Sequence, residues 1–285
     1  MLDLDSQSVL HTLDRDETDI DWSGMSGGRG LRGIGFDGDI VYVAAGAELL
    51  ALTTKLSIID SWRCPFLLDA HGMFVWERML YITSATYDSI VGFDLDQRRF
   101  TWGMNVVRKG HQFAASGFDP TMEDGPLPLD KLHINNIHCN RHGMYITGLR
   151  TGGMLHFNGS RVRMAVELPA NARDARPFRD GVLFNDSDAG ALRYSGRGDS
   201  SEDRAIPVPA REPDELTNAE AIDDGVVRNG FARGLCVISD RIVAGGSSPA
   251  TVTLYDLATK QMLGSVDITR DARESLHSIA CWPYD

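Results

Sequence analysis

Five times along the chain one pattern recurs at a spacing of about 40 residues, and this repeat limits the possible folds more than any other feature. The clearest copy runs Arg233-Gly-Leu-Cys-Val-Ile, a turn at Ser239-Asp240, Arg241-Ile-Val-Ala, Thr251-Val-Thr-Leu-Tyr-Asp-Leu and Met262-Leu-Gly-Ser-Val. Others open at Arg32, His71, Asn135 and Arg173. Each copy is four short runs of β-branched and aromatic residues divided by Gly, Asp, Asn and Ser turns, and helical periodicity is nearly absent. Four-stranded units at this spacing predict an all-β chain, a β-propeller. The C-terminal Ser275–Trp282 matches only the first strand of a unit, opening at His277. That orphan implies closure with outer strands from the other terminus. The expectation is therefore a six-bladed β-propeller with one blade split between the C-terminal strand and residues from about 5 to 25. A five-bladed form is the alternative, because the N-terminal segment is short for three strands.

The chain is expected to be a single propeller domain of 285 residues, a length that closed all-β forms reach as one unit. Two intervals carry roughly 20 additional residues, a length that in a compact domain marks binding loops or lids. These are the rim insertions 104–131 and 205–230. Both connect the last strand of one blade to the first of the next, so both are expected over the rim that holds the strand starts. A formal charge of −12 without a basic patch argues against nucleic acid and against an anionic membrane as partners. The acidic N-terminus lacks a basic stretch followed by an apolar one, and no window approaches a membrane span, so a cytoplasmic protein is expected. Cys64, Cys139, Cys236 and Cys281 have no CxxC spacing, and the first reading for them is free thiols, mostly buried.

The strand starts Arg32, His71, Asn135, Arg173, Arg233 and His277 are expected to ring one mouth of the propeller. A ring serving stability alone would be small or apolar, since unpaired buried charge is unfavourable. Arg32, Arg173 and Arg233 with Asn135, and Arg150 from the next loops, read as a pocket for a small anionic molecule. The alternative is local pairing of the arginines with Asp69, Asp174 and Asp188. Neutral imidazoles converging from different strands suit a divalent metal, which gives His71, His133 and His277 as ligands, with Asn135 orienting a water. The competing role is hydrogen bonding to the anion. The loops after the second strands add Thr83, Ser84, Tyr87, Asp88, Thr147, Asn185, Asp186, Asp188, Ser247 and Ser248. Tyr87 and Asp88 are candidates for the general acid and base, alongside His71 and His277.

The phrases DAHGMFVWERMLYIT, LHINNIHCNRHGMYITGL and GFARGLCVISDRIVAGGSS resemble blade motifs of an uncharacterised group of bacterial six-bladed propeller proteins, over roughly residues 30–285. More distantly the architecture is similar to gluconolactonase-type propellers and to the peptidyl-hydroxyglycine lyases. The former hold a metal with Glu, Asp and Asn, and a matching glutamate is missing. The latter use inner-strand histidines with an arginine and a tyrosine, which the resemblance matches to His71, His277, Arg233 and Tyr87. The expectation is an enzyme (lyase, hydrolase or isomerase) acting on a small anionic molecule at the channel mouth, with a histidine-bound divalent metal. A non-catalytic propeller that binds a ligand or partner protein through the same rim is the reading from another class.

Overall fold

Strand follows strand through nearly all of the computed structural model, which describes residues 1–4, 6–10, 30–198, 203–219 and 229–284. A short hairpin of β1 (Leu2–Asp3) and β2 (Ser8–Val9) precedes five antiparallel sheets, the blades. The first blade holds β3 (Leu31–Asp37), β4 (Ile40–Ala45), β5 (Glu48–Thr53) and β6 (Ile58–Arg63) in sequential order. The second holds β7 (Ala70–Trp76), β8 (Met79–Ser84), β9 (Ser89–Asp94), β10 (Arg99–Lys109) and β11 (Gln112–Phe118). The third is β12 (Ile134–Asn140), β13 (Gly143–Gly148), β14 (Gly153–Phe157) and β15 (Val162–Glu167). The fourth is β16 (Ala172–Phe178), β17 (Gly181–Asp186), β18 (Ala191–Ser195) and β19 (Arg204–Pro207). The fifth is β20 (Phe231–Val237), β21 (Ile242–Ser248), β22 (Thr251–Asp256) and β23 (Gln261–Asp267).

Among the described residues the chain is all-β with five blades, the alternative of the sequence reading, rather than six. Ser275–Trp282 has strand-like composition but joins no sheet. Its Leu276 and Ile279 instead pack on Gly234 and Gly246 of the fifth blade, at points a Cβ would fill. Of the N-terminal residues assigned to a sixth blade, 11–25 lie outside the described residues, as do 220–228 of the second insertion.

Second and third strands are apolar on both faces, as in β5, where five of six residues are buried. Such strands are packed from both sides, which is why they read as continuous apolar runs. Last strands are polar, as in β6, with Ile59, Asp60 and Ser61 exposed, and polarity at an edge discourages further strand pairing. The first insertion lengthens its blade: residues 104–109 continue β10, and β11 returns along it from Gly103↔Phe118 to Lys109↔Gln112.

The chain divides into two compact units, residues 15–170 with 283–285 and residues 1–14 with 171–282. The first holds blades one to three. Tyr42, Trp62, Phe93 and Phe100 form an aromatic chain with centroid spacings of 4.8–6.4 Å between its first two blades. The second holds blades four and five, joined by a core that includes Leu183, Tyr194, Leu235 and Tyr255.

Candidate functional site

All five first strands carry a β-bulge near their start. The register slips between Leu31 and Ile34, Ala70 and Met73, Ile134 and Asn136, Arg173 and Arg176, and Arg233 and Leu235. A bulge re-aims the side chain it contains and leaves local backbone groups without ladder partners. Here it re-aims Arg32, His71 and Asn135, and side chains of the neighbouring strand take up the freed backbone. Thr83 Oγ1 accepts the Gly72 N–H at 2.8 Å, and Ser84 Oγ accepts from Leu68 N at 3.0 Å. Thr83, at the end of the second strand, is therefore a buried support for the bulge, and Ser84 holds the backbone just before it. Gly72 itself is dictated by proximity, since a Cβ there would sit 2.7 Å from Asn136 Cα in β12.

In the first unit the bulges gather a charged cluster. Arg32 and Asp69 are 5% and 2% exposed, and Arg32 Nη1 donates to Asp69 Oδ1 at 2.6 Å. The same Nη1 also contacts Nε2 of His71. A guanidinium can only donate, so Nε2 accepts and the His71 proton sits on Nδ1. Burial, opposed by Asp69 and aided by Arg32, pushes His71 down to about 4, and the ring is neutral at pH 7. Burial disfavours the Asp69 carboxylate, but the neighbouring His71 and the charge of Arg32 hold it below the usual carboxylate range. His133 completes the cluster, its ring 5.6 Å from that of His71. One ligand atom each from Asp69, His71 and His133 lie within 4.8 Å of one another. His133 Nδ1 donates to Asp130 Oδ1 at 2.9 Å, which leaves Nε2 as the lone-pair atom.

Asp88 holds this arrangement in place. Its carboxylate accepts backbone N–H groups from Lys131 (2.7 Å), Leu132 (3.0 Å) and His133 (2.8 Å), so its oxygens are engaged by the loop. Burial raises Asp88 above the usual range against those hydrogen bonds. Arg150 braces the same loop, with Nε on the Lys131 carbonyl at 3.0 Å and Nη2 on Asp130 Oδ1 at 2.8 Å. Asp69, Asp88, Asp130 and His133 all have φ between 45° and 54°, a left-handed backbone that Asp and His adopt more readily than most residues. Tyr87 packs its ring edge-on against Phe66 at 5.6 Å. Asn135 is buried, and its Oδ1 meets no donor among the described residues; the Nε of Arg32 likewise meets no acceptor. His138 faces elsewhere and packs on Phe74 at 4.5 Å.

The second unit brings together Arg173, Arg233 and His277. Both guanidinium groups lie over the Phe231 ring, at 5.1 and 5.5 Å. Arg233 Nη1 is 3.3 Å from Ser275 Oγ, which is 3.4 Å from His277 Nε2. Asp174 is engaged locally: Oδ2 accepts from Gly234 N at 2.9 Å and from Asn185 Nδ2 at 3.0 Å. His277 thus belongs to a different unit from His71 and His133.

Sequence reasoning undervalues two residues here. Asp69 precedes its strand start by two positions and reads only as a partner for an arginine. Asp130 lies at the end of an insertion that most of the repeats lack. The Asp130-x-x-His133 spacing is the available signal, and only the left-handed backbone at both residues turns it into a contact.

No family model matches the chain, and no curated protein matches it. Solved structures do. The crystal structure of a nidogen/laminin complex gives a TM-score of 0.57 at 12% identity, covering 88% of this chain and 84% of that one. A WD40 β-propeller domain, from Doa1, gives 0.48 at 9% identity, covering 88% and 72%. BamB from Moraxella catarrhalis gives 0.45 at 14% identity, covering 89% and 78%. The first of these likenesses places the chain among β-propellers, and it extends to the fold alone.

Proposed function

We propose that Arg32, Asp69, His71 and His133 form the working site of an enzyme that binds a small anionic molecule and moves a proton on it, as a lyase, isomerase or hydrolase does. The observation carrying this reading is the paired histidine arrangement. His71 is held neutral beneath a buried arginine, and His133 has its Nδ1 proton fixed on Asp130. His133 Nε2 takes the proton as general base, and Asp130 stabilises the imidazolium that forms. Arg32, anchored by Asp69 and His71, presents positive charge to the anion. Asn135 Oδ1 is left for a donor, so an anion that also bears a hydroxyl or amine meets both residues. The test is a screen of small hydroxy and amino acids and phosphate esters by binding and turnover. Replacing His133 with Ala should abolish turnover while retaining binding, and loss of neither would refute the reading.

A metal-dependent version is favoured by one observation, the convergence of Asp69, His71 and His133 donor atoms. Against it, the Arg32 guanidinium already uses lone pairs of Asp69 and His71, so a divalent ion would have to displace a cation. Metal analysis of untagged protein separates the versions: Arg32→Met should raise metal content if the guanidinium blocks a competent site. If neither protein holds metal, the site works without one. A non-catalytic, ligand-binding propeller remains the outcome if ligands bind and no screened compound is turned over.

A further inference from the structure

We propose that Cys236 and Cys281 are a reversible dithiol/disulfide pair that staples the C-terminal segment to the first strand of the fifth blade. Their Sγ atoms are 3.2 Å apart, about 1 Å beyond a disulfide bond. Both are free thiols; Cys236 is buried in β20 and Cys281 is exposed. The segment carrying Cys281 runs outside any strand, so it is not bound to a ladder register and can supply the remaining movement. Its alignment is nonetheless defined. Leu276 and Ile279 pack with Cys236, Ala244 and Val252, and they rest on Gly234 and Gly246, where a Cβ would displace them. The other two cysteines, Cys64 and Cys139, are buried in the other unit.

Exposure decides which sulfur reacts first. The Cys281 thiolate attacks one oxygen of a peroxide, the O–O bond breaks, and a sulfenic acid forms at Cys281 with release of water after protonation. Cys236 then attacks the sulfenic sulfur. The S–S bond forms, hydroxide leaves and takes up the Cys236 proton, and the net change is two thiols oxidised and one peroxide reduced to two waters. Burial pushes Cys236 up to about 12, so it stays a thiol until Cys281 is activated. The positive charge of Arg176, whose Nη2 donates to the adjacent Leu235 carbonyl at 2.7 Å, assists its deprotonation at that moment. The disulfide would fix the segment that carries Ser275 and His277 alongside Arg233, adding a covalent link to the packing and hydrogen bonding that hold it in the reduced form.

The test treats the folded full-length chain with dilute hydrogen peroxide, counts thiols, and maps tryptic peptides without reduction. The expected result is loss of two of the four thiols, restored by dithiothreitol, with peptide Gly234–Arg241 joined to peptide Glu274–Asp285. The Cys281→Ser variant changes an exposed residue and should leave Cys236 reduced. In Cys236→Ser, Cys281 should proceed to the sulfinic acid, which dithiothreitol does not reverse. Sulfinic acid at Cys281 in the unaltered chain, a link between Cys281 and any other cysteine, or oxidation of Cys236 in the Cys281→Ser chain would overturn the proposal.

Discussion

The two units start their first strands with the same bulge and the same kinds of residue, yet their carboxylates have different partners. In the second unit Asp174 is engaged by a backbone N–H and an asparagine amide, and the two arginines beside it rest on one phenylalanine ring. In the first unit Asp69 is engaged by an arginine whose Nη1 also contacts one histidine, and a second histidine stands next to them. A carboxylate bound by backbone fixes the shape of a loop. A carboxylate bound by ionisable side chains holds groups that can change partner or protonation when a ligand arrives. Asp88 and Asp69 make the same contrast within one unit, since Asp88 receives three backbone N–H groups.

The comparison breaks if the two units respond alike to loss of an arginine. Arg32→Met leaves Asp69 buried and without its cation, and should lower unfolding free energy by about 3–5 kcal/mol. Arg233→Met removes a contact with the Phe231 ring and a hydrogen bond to Ser275, and should cost less, about 1–2 kcal/mol. Urea titrations of the two variants decide it, and equal losses would put the cluster on the same footing as the arginine–phenylalanine stack.

Acidity separates the regions next. His71 has its folded value lowered to about 4, against 6.5 when unfolded, so between these values the unfolded chain binds the extra proton. Stability is therefore fully present above about pH 6.5 and falls as pH drops toward 4, by on the order of 3 kcal/mol at most. The depressed carboxylate of Asp69 acts in the same direction at lower pH. Chemical denaturation across this range should show the slope in the unaltered chain and a shallower one in His71→Gln.

Smaller losses test the supports. Asp88→Ala strips the acceptor from three backbone donors and should cost about 2 kcal/mol, whereas Asp174→Ala, with one backbone and one amide donor, should cost about 1. Asp88→Ala should also disturb the NMR signals of His133, because it releases the loop that carries that residue. Arg150→Ala, at a half-exposed brace, should change stability by less than about 1 kcal/mol. A loss at Arg150 larger than at Asp88 would reverse the ranking of brace and latch.

Much of this was open to reading from residues. The repeat exposes Arg32, His71 and Asn135 because each opens a strand, and a polar residue at the head of an apolar run is conspicuous. It exposes blade number less well. Ser275–Trp282 has the composition of a first strand, but Leu276 and Ile279 find their burial against two glycines, and composition does not distinguish that packing from a ladder. The role of Thr83 depends on a backbone group that the bulge releases and that of Asp88 on the course of residues 131–133, and neither leaves a mark in hydrophobic pattern. The pairing of His133 with Asp130 depends on two left-handed residues that are neither glycine nor asparagine. Sequence therefore shows where the first strands begin, and backbone geometry determines which carboxylates are engaged by backbone and which by side chains.

Histidine-selective nitrogen NMR, recorded over a pH titration with and without a small hydroxy acid, reads the protonation of His71 and His133 at the site itself. The expected result is that His71 stays neutral with its proton on Nδ1 down to about pH 4, that neutral His133 also carries its proton on Nδ1, and that the ligand shifts both. A His71 that titrates near 6.5 in the folded protein, with neither histidine responding to any ligand screened, would contradict it.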